Sequence, residues 1–208
     1  MFADLDETIR RLLVEQVPID SAQVDVSFDT PDREWSGRLT RPAVNCFLFD
    51  VHENLEFREL DWERVASNGG STVNIKRAPA RIDATYHVTT WARVPEDEHR
   101  LLWRVLSALM RHPVLPEHML EGSLKEQPFP VPARAAQLEN GGRPNAADLW
   151  QALDNRIRPS IAYSVTLALD PQDVITQPLV FSRHARVYDL DGSASESVAM
   201  RPVTPKSP

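Results

Sequence analysis

Hydrophobic positions along this chain change period several times, and each change predicts an element. Over residues 5–17, Leu5, Ile9, Leu12, Leu13 and Gln16 recur at helical spacing, behind Asp4, Asp6 and Glu7, which favour the positive end of a helix dipole. Pro18 lacks the N–H that a continuing helix would use, so this first helix is expected to stop there. Val24, Val26 and Phe28 alternate with Asp25, Ser27 and Asp29, the period-two mark of a half-buried strand. Pro31 and Asp32 then turn the chain into a charged loop around Trp35. Beyond it, Phe47, Phe49, Val51, Leu55 and Phe57 keep one parity while Asp50, His52, Asn54, Glu56 and Arg58 keep the other, which predicts a long strand or a bent hairpin.

The second half continues in the same manner. Asn68-Gly69-Gly70-Ser71 is a turn signal, since glycine adopts positive φ without steric cost. Ala80, Ile82, Ala84, Tyr86 and Val88 face one way and Arg81, Asp83, Thr85, His87 and Thr89 the other, in a run reaching Arg93. Pro95-Glu96-Asp97-Glu98 suits the first turn of a helix, and Leu101, Leu102, Val105, Leu106, Leu109 and Met110 follow on one apolar face. Between Pro113 and Pro144 the pattern dissolves into prolines and Gly141-Gly142, which predicts a long irregular excursion, with one short helical turn near residues 117–120. Loops of that length usually bind something or stay mobile. A short helix is expected over residues 145–154, then a strand in which Ile161, Tyr163, Val165, Leu167 and Leu169 oppose the smaller Ser160, Ala162, Ser164, Thr166 and Ala168. A last strand is predicted over residues 179–188, and residues 189–208, poor in apolar side chains, read as a flexible tail.

These elements predict an α/β (α+β) fold: a mixed, mainly antiparallel sheet flanked by two principal helices, in a single domain over residues 1–188. Length agrees, since 208 residues can bury a sizeable core without room for two full domains. The longest apolar runs, such as Cys46-Phe47-Leu48-Phe49, fall far short of the roughly 20 residues that cross a bilayer. No membrane partner is expected. Acidic residues at the start oppose a secretory signal, which points to cytoplasmic synthesis and assembly. The formal charge of −7 with no basic run argues against nucleic acid. One cysteine, Cys46, excludes an internal disulfide and reads as a small apolar strand residue. With three lysines among 23 basic residues, arginine dominates, which suits bidentate ion pairs at interfaces and equally reflects a GC-rich coding bias.

Candidate chemistry thins out on inspection. Asp4-Leu5-Asp6-Glu7-Thr8 matches the D-x-D-x-T opening of haloacid-dehalogenase-like phosphotransferases, where the first aspartate is the nucleophile at the end of a buried strand. Only Met1, Phe2 and Ala3 precede Asp4, too few to build that strand, and Lys76, Lys125 and Lys206 sit in no matching motif. The six histidines show neither H-x-x-x-H nor H-E-x-x-H spacing, and no nucleophile elbow, phosphate loop or dinucleotide fingerprint occurs. No catalytic residue, metal ligand or cofactor site is therefore assigned. Trp35 among Arg33, Glu34, Arg38 and Arg41 has the composition of a protein-interface anchor. It equally fits a loop folded back onto its own sheet.

Residues 4–13, together with the stretch Phe28-Asp-Thr-Pro-Asp-Arg-Glu-Trp-Ser-Gly-Arg-Leu-Thr-Arg-Pro-Ala-Val-Asn-Cys-Phe-Leu-Phe-Asp-Val-His-Glu-Asn54, resemble the tube-terminator, or cap, family of phage-tail-like extracellular contractile injection systems of the antifeeding-prophage and virulence-cassette type. The resemblance spans roughly the first 190 residues. It implies a structural protein that forms a homohexameric ring on the last ring of the inner tube protein, ends tube growth and anchors the sheath protein. No substrate or cofactor is implied. Another baseplate- or sheath-adaptor subunit is the competing reading, and the phosphotransferase the enzymatic one. A ring needs heterologous seams and gathers many acidic copies, so Arg33, Trp35, Arg38, Arg41, Arg77 and Arg81 are the expected interface residues.

Overall fold

The chain was analysed as a computed structural model that describes residues 1–17, 24–58, 62–66, 72–137, 146–154, 156–170, 175–178, 183–188 and 194–200. In order, its elements are α1 (Phe2–Gln16), β1 (Asp25–Ser27), α2 (Arg33–Gly37), β2 (Ala43–Glu53), β3 (Trp62–Ala66), β4 (Thr72–Arg77), β5 (Ala80–Trp91), α3 (Pro95–Arg111), β6 (Ala133–Ala135), α4 (Ala146–Ala152), β7 (Ser160–Leu169), β8 (Ile175–Pro178), β9 (Arg183–Tyr188) and β10 (Ala194–Met200). They separate into two compact units. One comprises Met1–Arg58 with Pro79–Asp170, the other Glu59–Ala78 with Pro171–Pro208.

The first unit is a mixed α/β domain on a five-stranded sheet ordered β1-β2-β5-β7-β6. Only β1 runs parallel to its neighbour, pairing Val26 with Val44, and every other pair is antiparallel. One face carries α1 and α3. There Val44, Cys46, Ala84, Tyr86, Val88, Ile161, Tyr163 and Val165 meet Leu5, Ile9, Leu12, Leu13, Val105 and Leu109 in the main core. The helical spacing of α1 sets this contact: its apolar stripe recurs every three to four residues, and all four of its leucine and isoleucine positions are fully buried.

The polar parity of β5 is buried as well. Asp83, Thr85, His87 and Thr89 are all buried, and towards Trp91 this face is covered by a second, smaller layer built from Trp35, Ala43, Trp91, Trp150 and Leu153, with the His87 ring 5.3 Å from that of Trp150. A strand covered on both faces loses the in–out contrast that alternation implies, so the polar residues need internal partners. Thr85 and Ser164 supply one such pair at 2.9 Å.

The parity of β2 breaks midway. Its register against β5 shifts between Leu48 and Asp50, a bulge that inserts one unopposed residue and re-aims everything beyond it. Val44, Cys46 and Leu48 face the main core, and beyond the bulge Val51 pairs with Ala84 on that same face. Val51, Leu55 and Phe57, expected on one buried side, are nevertheless exposed, the last two in a 3-10 turn over Leu55–Phe57.

The proline-rich stretch is no free excursion over residues 113–137. Val114 bridges Pro132, two 3-10 turns (Glu117–Met119 and Gly122–Glu126) follow the end of α3, and Leu115, Met119, Leu120, Leu124 and Val131 close the main core. Short turns and prolines scatter the apolar positions along the sequence, which hides their common face. Residues 138–145 lie outside the described residues. At Gly122, φ is +51°, which favours glycine, and an added Cβ would stand 2.2 Å from Asp4 Oδ1, so the Asp4 carboxyl would have to move.

The second unit contains a three-stranded sheet, β3-β4-β8, and the antiparallel pair β9-β10. The turn expected at residues 68–71 falls outside the described residues, between β3 and β4. Within the segment read as a flexible tail, Ala194–Met200 forms β10 against β9. Its backbone hydrogen bonds need no large apolar side chains, which is why composition alone missed it.

Candidate functional site

Three of the expected interface arginines surround α2. Asp32 caps this short helix by accepting a hydrogen bond from the Trp35 N–H at 2.7 Å, so the charged loop is a helical turn. The cap turns the Trp35 ring inward. It is 8% exposed and meets Trp91 edge to face, with centroids 5.3 Å apart at 78°. Of the two readings left open by the sequence, the ring takes the packed one within this chain. Arg33, Arg38 and Arg41 remain on the outside. Arg38 lies 3.9 Å from Glu34, both strongly exposed, a pair worth little in water. Arg41 grips Asp25 with two guanidinium nitrogens, Nε at 2.6 Å and Nη2 on the other oxygen, and that hydrogen bonding raises the guanidinium pKa.

Arg81 is elsewhere. It is the second residue of β5, whose other end is Trp91, so ten residues at about 3.3 Å each place it roughly 33 Å along the strand from the α2 end. Its guanidinium lies over the rings of Phe57 (5.4 Å) and Phe129 (4.6 Å). Arg77 ends β4 in the second unit. Within the first unit, Arg33, Arg38 and Arg41 thus share no patch with Arg81.

Two buried carboxylates were not foreseen. Asp83, 2% exposed, accepts from Asn54 Nδ2 (2.8 Å), Arg134 Nη2 (2.9 Å) and Thr166 Oγ1 (2.5 Å), joining the end of β2 to β5, β6 and β7. Glu98 near the start of α3 pairs with Arg158, whose guanidinium lies 4.3 Å above Trp91. Their common signal in the sequence was an acid on an element whose neighbours bury it. Both sets are fully engaged in holding elements together.

Asp4 has no nucleophile's setting. It lies in the first turn of α1, 3.1 Å from the Met1 amino group, and accepts from Ser123 Oγ at 2.6 Å. The Ser123 bond, helped by the amino group, holds its carboxyl below the ordinary range. Asp6, by contrast, is pushed upward by burial while accepting from Tyr86 Oη at 2.7 Å. Burial drives the Cys46 thiol up to about 12, which removes it as a nucleophile. Among the described residues no group of histidine, cysteine, aspartate and glutamate could hold a metal ion, and no helix is long and apolar enough to cross a membrane.

The model of the Pvc16 N-terminal domain matches residues 4–182 of this chain. The chain belongs to the Pvc16 N-terminal domain family. Among solved structures, this Pvc16-type domain is similar to the sheath/tube terminator of an extracellular contractile injection system, PVC, in its extended state, with a TM-score of 0.62 and 19% identity over all of this chain. It is also similar to the tube-terminating cap of the anti-feeding prophage, with a TM-score of 0.57 and 22% identity over 83% of this chain. The chain spans 64% and 56% of those two proteins' lengths. Both neighbours are tube terminators. No curated protein matches.

Proposed function

We propose that this chain caps the inner tube of a contractile injection particle: six copies close a ring on the last tube ring, stop its growth and anchor the sheath around it. The family match over residues 4–182 carries this reading, and the fold shared with two tube terminators supports it. The work is done by shape and adhesion, through heterologous seams in which one patch of each copy meets a different patch of the next. Its partners are a second copy of the chain, the tube protein and the sheath protein, and it acts as part of a particle assembled in the cytoplasm. Arg33, Arg38 and Arg41 stand around α2 as candidate contacts, with the buried Trp35 ring fixing the turn that displays them.

The test is removal of the chain from a cell that assembles the particle. Tubes of broad length distribution with sheaths lost from one end are the expected outcome by electron microscopy. Tubes of normal length carrying stable sheaths would overturn the proposal.

A further inference from the structure

Two exposed apolar patches of opposite charge lie on the first compact unit. On α3, Trp103 (70% exposed) and Met110 (61% exposed) stand seven residues apart, on one line along the helix, with the half-buried Leu106 between them. Arg104 and Arg111 repeat the same seven-residue spacing on the adjoining line. Neither makes an ion pair among the described residues. At the far end of β2 and in the 3-10 turn after it, Leu55 (67% exposed), Val51 and Phe57 are exposed beside Asp50, Glu53 and Glu56. Asp50 and Glu53 are partly answered by His52 and Arg58, whereas Glu56 has no basic partner among the described residues.

Large apolar side chains at this exposure are unfavourable in water unless something covers them, and Trp, Arg and Met are enriched where proteins meet. The two patches match in kind and oppose in charge. One is an apolar row edged with arginine, the other an apolar cluster edged with carboxylates. We infer that they are the two halves of one heterologous seam, the α3 face of each copy receiving the β2 end of a second copy of this chain. This rests on the ring reading and says which surfaces build the ring. A seam joining two different patches leaves one of each free on any open assembly, so it propagates until it closes. Arg33, Arg38 and Arg41 then lie outside the seam, while Arg81, over the Phe57 ring, borders it.

The experiment uses the full chain with two lesions, one per patch: Trp103→Glu with Arg104→Glu, and Leu55→Lys with Glu56→Lys. All four positions are exposed, so melting by circular dichroism should match the parent. Mass photometry, in solution and on tubes assembled from the particle's tube protein, reads association. Each lesioned chain alone should associate at least about 30-fold more weakly than the parent, the tenfold-per-1.4 kcal/mol equivalent of a hot-spot loss. Mixed one to one, the two chains should form heterodimers and nothing larger, because each retains the half that the other has lost. If each lesioned chain assembles like the parent, or the mixture stays monomeric while the parent assembles, the seam is refuted and the ring reading stands. A parent chain that is monomeric both in solution and on tube ends overturns the ring reading, and the seam with it.

Discussion

Replacing Trp35 by alanine tests the inward placement of the one residue on which the sequence left two readings open. An aromatic side chain of this class buries about 150–250 Å², and at about 25 cal/mol/Å² that is worth roughly 4–6 kcal/mol. A realistic unfolded chain already shields part of that surface, which lowers the figure by roughly 10–40%. The edge-to-face contact with Trp91 is lost too, about 0.5–1.5 kcal/mol, while the exposed α2 turn can settle into part of the void. The expected loss is about 3–4 kcal/mol. In a chain of this size each kcal/mol moves Tm by about 2–4 °C, so the midpoint should fall by roughly 6–16 °C. Far-UV circular dichroism is the assay, because the chain's five tryptophans confuse fluorescence. Trp35→Phe, which keeps an aromatic against Trp91, should lose about half as much. The argument fails if Trp35→Ala costs less than about 1 kcal/mol, and it fails most clearly if stability is kept while association with a second copy or with the tube disappears.

Gly122→Ala should cost about 1–3 kcal/mol in thermal melts, from the left-handed backbone and the collision with Asp4. In an Asp4→Ala background its cost should shrink, because the collision is gone; strict additivity would refute the contact. Asp83→Ala strands three donors, one of them the charged Arg134, and should cost about 3 kcal/mol, whereas Asp83→Asn, which still accepts, should cost roughly half of that in urea titrations. Cys46, with its thiol pushed up to about 12 and no exposed surface, should resist a water-soluble thiol reagent at pH 8 and react at once in urea; rapid labelling of the folded chain would contradict its burial.

Local periodicity determined a good deal of this molecule by itself. The helical stripes of α1 and α3, and the alternation of β5 and β7, are properties of short stretches, legible wherever one face of an element meets the core. The absence of metal spacing and nucleotide loops was equally local, and so was the stretch around Trp35 that resembles a cap family. Tertiary structure decided whatever depended on a second layer or on distant neighbours. Asp83 reads as a solvent-facing carboxylate until Asn54, Arg134 and Thr166 converge on it from three other segments. The bulge after Leu48 moves Val51 to the other face of β2, opposite Ala84, and no pattern within β2 announces it. Residues 113–137 look irregular because their buried side chains share a face only once the chain has wrapped under α1. Arg41 and Arg81 were both expected at an interface, yet a single extended strand holds their neighbourhoods apart. Met110 reads as part of the apolar face of α3 yet stays 61% exposed, because which positions of a helix are covered is fixed by what packs against it.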